Sequence, residues 1–221
     1  AVWEPGVVRV DLGEVTPTGV IVKKEKKWES LVATASGTYA MKVYRLEDGA
    51  EYGFNETEVM PGASILKVPA MAAVLRRVGE GKVALTDEVT LLESDRRTGA
   101  GPLQFARAGT SYSWNRLLTE MGKKSDNTAW VMVNRTLGYK EIEAEVSRMG
   151  MTKTNYRELV TTAADVGKMW QEVYKMPDLW PYLEKSIYED RISLGLPAGT
   201  RLVHKVGTDA DVWSDSGIVM A

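Results

Sequence analysis

The sequence predicts an α+β fold in which a strand-rich lobe carries an inserted lobe made only of helices. Segments with strand character lie near both ends of the 221-residue chain, and a long helical block separates them. The hydrophobic content of 44% is enough for a sizeable core. We therefore expect an antiparallel sheet built from both chain ends, with flanking helices and a separate helical lobe.

The first part of the chain has the pattern of strands and turns. Strands are predicted over residues 7–10, 19–22, 39–46 and 51–54. Alternation with a period of two supports the third of these, and Glu47-Asp48-Gly49-Ala50 forms a hairpin turn into the fourth. Lysine-rich residues 23–29 begin a short amphipathic helix with a solvated face. We divide the chain into a strand-rich extension, 1–22, and a main domain, 23–221.

The helical block begins near Gly62 and defines a lobe over roughly residues 63–184. Its first helix starts at Ser64 and carries an apolar stripe that consists of Val68, Met71, Ala72, Leu75 and Val78. Pro69 lies early in this helix, where it removes one backbone donor and is expected to distort the first turn. Further helices are predicted over 114–121, 127–137, 140–149 and 162–174. Strand character returns at 202–206 and 217–220.

Composition excludes several classes of function. The net charge of −2 argues against a general nucleic-acid binder, and no apolar run reaches the roughly 20 residues that span a bilayer. The chain has no cysteine, so it has no disulfide and no thiol nucleophile. Its one histidine, His204, is interpreted as a strand residue packed beside a site. Asp209, Asp211 and Asp215 are interpreted as a solvated turn, and no metal or cofactor is predicted.

Three short motifs carry the candidate chemistry. Ser64 and Lys67 are three residues apart where a helix begins, so the lysine can take the proton of a serine nucleophile. Ser125-Asp126-Asn127 follows a turn and precedes a helix, and Lys205-Val206-Gly207 ends an apolar strand. Each motif alone is typical of a helix cap or a strand end. Their common occurrence in this order favours a catalytic site.

Together the motifs resemble those of the penicillin-recognising serine enzymes, which include class A β-lactamases and D-alanyl-D-alanine peptidases. Residues 38–221 carry the resemblance, with further similar stretches at 109–118, 161–165 and 190–200. It implies a β-lactamase/DD-peptidase-like fold that uses no cofactor. The implied substrate is a β-lactam or a D-Ala-D-Ala peptide, with peptidoglycan as a further partner.

The resemblance also implies a role for each matching residue. Ser64 is the acylated nucleophile, Lys67 its proton acceptor, and Ser125 the relay of a proton to the leaving nitrogen. Asn127 binds the substrate amide, and Lys205 binds the substrate carboxylate and tunes Ser125. The backbone amides of Ser64 and Thr208, next to Gly207, form the oxyanion hole. Arg191 supports binding of the carboxylate.

Three departures from the pattern shape the expected activity. The segment from Met149 to Thr162 is short for the loop that carries the deacylating glutamate in class A enzymes, and its one glutamate, Glu158, is interpreted as a surface residue. Val206 replaces the usual hydroxyl residue of the third motif. The usual C-terminal strand and helix are not recognised, which leaves a permuted arrangement or an incomplete chain open.

We therefore expect a penicillin-recognising serine hydrolase or acyltransferase that deacylates slowly with β-lactams. Two alternatives stay open: a β-lactamase with a different deacylation base, and a non-catalytic module that binds cell-wall fragments or β-lactams. Because the family works on the cell wall and the chain lacks cysteine, we expect an exported protein of the periplasm, cell envelope or exterior.

Overall fold

The computed structural model describes residues 35–220. The strands predicted at 7–10 and 19–22, and the helix predicted to begin at Lys23, lie outside these described residues. The division of the chain at residue 22 stays a prediction for the same reason. Within the described part, no helix is long and apolar enough to cross a membrane.

The strands of the described region form four separate antiparallel pairs. Strand β1 (Met41–Tyr44) pairs with β2 (Glu51–Phe54), and the short strands β3 (Met60–Pro61) and β6 (Val160–Thr161) pair with each other. Strand β4 (Glu88–Thr90) pairs with β5 (Ser111–Ser113). The longest pair joins β7 (Arg201–Asp209) to β8 (Val212–Met220). The predicted strand at 217–220 therefore begins five residues earlier than its apolar residues indicate.

The helical block contains six α-helices between β3 and β7. They are α1 (Lys67–Gly79), α2 (Trp114–Lys124), α3 (Asn127–Leu137), α4 (Tyr139–Arg148), α5 (Ala163–Tyr174) and α6 (Trp180–Leu183). Side-chain caps begin three of them: Ser113 for α2, Asp126 for α3 and Thr162 for α5 each accept a hydrogen bond from a backbone amide in the first turn. All four predicted helices after the first lie within two or three residues of their observed bounds.

Helix α1 is the centre of the helical lobe. Its first eight residues, 67–74, are all buried, and it packs against α2, α3 and α4. Apolar side chains from these three helices are fully buried, among them Leu117, Leu118, Met132 and Ile142. A helix that is apolar on every side lies inside the lobe and not on its surface. Lys67 is a charged exception at its first position.

The helical lobe and the strand-rich lobe meet beside the first and last hairpins of the described region. Helix α5 packs against both β1 and β8, so the first and last hairpins share one helix. Strand β7 packs against the 3-10 turn Ala63–Leu66, which precedes α1, and against α6. The start of the helical lobe is therefore held against the C-terminal hairpin, and this junction brings the first and third motifs together.

Candidate active site

Ser64 lies in the 3-10 turn immediately before α1. The residue before it, Ala63, has a φ of +43°, a left-handed conformation that is unfavourable for an alanine. The turn is held in place because the Gly62 amide donates to the carbonyl of Leu159 at 2.7 Å. Ser64 is half-buried, so its hydroxyl is reachable from solvent. Strained backbone beside a reachable hydroxyl is common at functional sites.

Lys67 is fully buried directly behind Ser64. Its Nζ lies 2.9 Å from Ser64 Oγ, 2.7 Å from Asn127 Oδ1, 2.5 Å from the Ser125 carbonyl oxygen and 3.2 Å from Ser125 Oγ. One turn of helix separates it from Ser64, as the sequence predicts. The amine therefore contacts the first two motifs at once.

Ser125 connects the two buried lysines of the site. Its Oγ accepts a hydrogen bond from Lys205 Nζ at 2.9 Å, in addition to the contact with Lys67. Ser125 ends α2 in the left-handed conformation, with a φ of +55°, which turns the chain sharply into α3. The hydroxyl thus lies between Lys67 and Lys205, and all three side chains are almost completely buried.

Asp126 and Asn127 attach the second motif to the preceding loop. Asp126 accepts hydrogen bonds from the amides of Ala129 and Leu103, and its carboxylate makes no hydrogen bond to either lysine of the site. Asn127 uses its oxygen for Lys67, while its Nδ2 donates to the Thr98 carbonyl at 2.9 Å. This hydrogen bond uses one of the two N–H groups of the Asn127 amide.

The third motif forms the opposite wall of the site. An added Cβ at Gly207 would lie 3.1 Å from the Gly62 carbonyl oxygen and 3.3 Å from Ile65 Cγ1, so glycine lets β7 approach the Ser64 turn closely. The next residue, Thr208, is exposed at the mouth of the site. Val206, by contrast, is buried and offers no hydroxyl.

Arg191 braces this wall from outside. Its guanidinium donates to the carbonyl oxygens of Gly207 and Ser214 and to Thr208 Oγ1, and it lies over the ring of the exposed Trp213. The structure therefore brings Arg191 to Thr208. The guanidinium therefore already donates to groups of the β7–β8 hairpin.

Burial changes the protonation of both lysines. It lowers the pKa of Lys67 well below its usual value, and the nearby charge of Lys205 lowers it further, while Asp126 opposes the change. Burial also lowers the pKa of Lys205 to about 7, against the opposing effect of Asp215. A neutral lysine is a base, and a charged one attracts anions, so this pair offers both properties near neutral pH.

His204 lies where the sequence predicted, and Asp215 does not. His204 is fully buried on β7, as expected of a strand residue beside the site, and its Nδ1 lies 2.9 Å from Asp215 Oδ1. Asp215 lies on β8 with a buried carboxylate, so its placement in a solvated turn is wrong. The aspartate pairs across the hairpin with Val206 and stabilises the strand that carries Lys205.

Sequence reasoning also missed Trp130. Its ring centroid lies 5.1 Å from Lys67 Nζ. The available signal was its position three residues after Asn127 on a helix, which places both side chains on one face. Glu158 is exposed on the turn between Asn155 and Val160, as predicted.

A surface groove of about 370 Å³ lies elsewhere, lined by parts of the segment 184–202. Its lining includes none of the candidate site residues. The groove is also open and bordered by ordinary surface side chains. The buried lysine–serine cluster, and not this groove, therefore carries the candidate chemistry.

Comparison with known proteins agrees with this site. The model of the beta-lactamase enzyme family matches residues 23–221. A β-lactamase from Sphaerobacter thermophilus is 26% identical with a TM-score of 0.76, and covers 81% of this chain and 75% of its own. No curated protein sequence matches the chain significantly.

Two further structures show the same fold at lower identity. PBP-A is 23% identical with a TM-score of 0.81, over 87% of this chain and 80% of its own. An ancestral class A β-lactamase is 22% identical with a TM-score of 0.77, over 88% and 84%. A mutant of PBP-A is an acyl-enzyme complex with penicillin G. These likenesses confirm the predicted α+β fold of the β-lactamase type.

Proposed function

The chain is a serine hydrolase that belongs to the beta-lactamase enzyme family, and we propose that it acts through an acyl-enzyme on Ser64. Its substrates are β-lactams or D-alanyl peptides, and the acyl group of a β-lactam is released from Ser64 slowly. The observation that carries this proposal is the continuous contact from Ser64 Oγ through Lys67 Nζ to Ser125 Oγ and Lys205 Nζ.

The contacts of Lys67 suit a neutral amine that acts as the base. A neutral amine has two N–H groups and one lone pair. The two N–H groups can donate to Asn127 Oδ1 and the Ser125 carbonyl, which leaves the lone pair to accept the hydroxyl proton of Ser64. Burial and the neighbouring Lys205 favour this neutral form by lowering the pKa of Lys67.

Acylation then moves one proton around the cluster. The Ser64 proton passes to Lys67 as Oγ bonds to the substrate carbonyl carbon, and the carbonyl π electrons move onto its oxygen. We place that oxyanion between the backbone amides of Ser64 and Thr208. When the C–N bond breaks, Ser125 gives its proton to the leaving nitrogen and regains one from Lys67, 3.2 Å away.

The charge of the site suits a substrate with a carboxylate. Lys205 and Arg191 both lie along the β7 wall, and Thr208 adds a hydroxyl at the mouth. β-Lactams and D-alanyl peptides carry a carboxylate near the reactive amide. We assign binding of that group to Lys205 in its charged form and to Thr208, with Arg191 in support.

The proposal of slow deacylation rests on the lack of a carboxylate beside Lys67 in the described part of the chain. Among residues 35–220, the hydrogen-bond partners of Lys67 Nζ are all neutral, and Glu158 is exposed. We infer that a water molecule attacking the Ser64 ester has no carboxylate base beside it. This favours a penicillin-binding peptidase or transpeptidase over a β-lactamase. We also propose an exported enzyme that meets peptidoglycan in the cell envelope.

Intact-protein mass spectrometry after addition of benzylpenicillin, sampled from seconds to hours, tests the proposal. We expect an adduct of one intact benzylpenicillin that persists in the wild type and is absent in Ser64→Ala. Ser147→Ala is the matched control, because Ser147 is exposed on α4 and its hydroxyl donates to the Glu143 carbonyl, away from the site.

Other outcomes separate the alternatives. Consumption of the drug without an adduct would indicate a β-lactamase with a different base. Neither adduct nor consumption would favour a non-catalytic module. An adduct that survives in Ser64→Ala would exclude Ser64 as the nucleophile.

A further inference from the structure

Lys67 has to carry a positive charge in an unfavourable place. Its four hydrogen-bond partners, on Ser64, Ser125 and Asn127, are all neutral. Of the acidic groups in the described part of the chain, Asp126 favours the ammonium, but its effect is smaller than the opposing effects of burial and Lys205. The charge of Lys205 repels it across Ser125. An ammonium formed here by proton transfer therefore needs another source of stabilisation.

Trp130 offers one, because its ring lies against the amine. The centroid of the indole is 5.1 Å from Lys67 Nζ, within the range over which a cation is attracted to an aromatic face. Trp130 follows Asn127 by three residues on α3, so the amide and the indole contact the amine from the same helix. Tryptophan is the aromatic side chain that holds a cation best.

The orientation of the indole is fixed from behind. Trp130 Nε1 donates to the Tyr156 hydroxyl at 2.6 Å, and that hydroxyl donates to Asn134 Oδ1 at 2.8 Å. The Trp130 and Tyr156 rings meet edge to face, with centroids 6.2 Å apart. Tyr156 is only 2% exposed. The only polar atom of the indole is thus used away from the site, and its π face stays toward Lys67.

We propose that Trp130 is a positioning residue for acylation, whose indole face stabilises the ammonium that Lys67 becomes when it accepts the Ser64 proton. This inference rests on the proposed function of the same site. It assigns to the short loop around Tyr156 a role in holding the base, although that loop brings no carboxylate to the site.

The charged and titratable groups that face Lys67 come from three elements. Lys205 on β7 lowers its pKa, Asp126 at the start of α3 raises it, and burial lowers it most. Tyr156 stays neutral, because burial raises the pKa of its phenol. If the indole stabilises the ammonium, its removal lowers the pKa of Lys67 further. Proton uptake by Lys67 then becomes weaker, and acylation at its pH optimum becomes slower.

An NMR titration of Lys67 tests this without any substrate. In protein labelled with [13C]lysine, the Cε resonance of Lys67, assigned with a Lys67→Met variant, reports its midpoint of titration. We expect Trp130→Leu to lower that midpoint by about 0.4–1.5 pH units, the shift that corresponds to a cation–π contact, and Trp130→Phe to lower it less. Trp180→Leu is the matched control, since Trp180 contacts Arg201 and not Lys67.

The acylation rate gives the second readout. The acid limb of the pH–rate profile with benzylpenicillin should move to lower pH in Trp130→Leu, with partial return in Trp130→Phe. A merely structural role of Trp130 would lower the rate at every pH and leave the acid limb at its wild-type pH. In the NMR titration, an unchanged or raised midpoint of Lys67 would overturn the inference. If the wild type is not acylated at all, the proposed function fails, while the NMR titration still decides the role of Trp130.

Discussion

Gly122 is predicted to be essential for the packing that positions Ser125. A Cβ added at this residue would lie 2.0 Å from the carbonyl oxygen of Tyr182 and 2.8 Å from its carbonyl carbon. Real Cβ atoms essentially never come within 3.0 Å of another atom, so α2 and α6 would have to separate by about 1 Å. The obstacle is backbone, which cannot rotate aside as a side chain does.

The expected cost of Gly122→Ala follows from two opposing terms. Overpacking of a tight contact costs about 1–3 kcal/mol. Replacing glycine within a helix returns about 0.5–1 kcal/mol, because the unfolded chain loses freedom. We expect the free energy of unfolding to fall by about 1–2 kcal/mol, or roughly 2–8 °C in the melting temperature for a chain of this size. Acylation should slow as well, because Ser125 follows three residues later.

Urea unfolding monitored by circular dichroism measures this change, and Gly79→Ala is its control. Gly79 is the exposed last residue of α1, and an added Cβ there meets nothing within 4 Å. That variant should be unchanged or more stable by up to about 1 kcal/mol. Equal stability of the two variants would contradict the reasoning, because it would mean that α2 and α6 are not in close contact.

Two predictions concern pH. Because burial lowers the pKa of Lys205 to about 7, the second-order rate of acylation should fall roughly tenfold per pH unit above that value, where the lysine loses its charge. The Lys205→Arg variant stays charged, so its acylation should be slower at every pH but should not show this fall at alkaline pH. Stopped-flow measurement of acylation tests this. A fall that persists in the variant would assign the titration to another group. Burial lowers the pKa of His204, but the carboxylates of Asp215 and Glu189 together hold this pKa above its usual value. His204 therefore stabilises the fold below its unfolded pKa of about 6.5 and loses this contribution as the pH rises through its folded pKa. The stability difference between wild type and His204→Gln, from urea unfolding at pH 5–9, should therefore shrink with rising pH, and a constant difference would rule out the charged pair.

Local pattern accounts for the elements that the sequence predicted well. The helices of residues 114–174 have apolar stripes and capping side chains. These signals involve residues that are close in sequence, so the sequence alone identifies them. The strand at 212–220 was read only from residue 217, because Trp213, Ser214 and Asp215 lack an apolar alternation. It is the register with β7, and the burial of Asp215 against His204, that extend this strand.

The sequence by itself determined the α+β class and the candidate residues Ser64, Lys67, Ser125 and Lys205, because the motifs keep their chemistry at fixed local spacing. Only the tertiary structure decided that Lys205 reaches Ser125 across 80 residues and that Trp130 covers Lys67. Such contacts depend on how helices and strands pack, and packing sums many weak interactions over the whole chain. The depressed pKa values of the two lysines have the same origin, since desolvation is a property of the folded core and not of any motif.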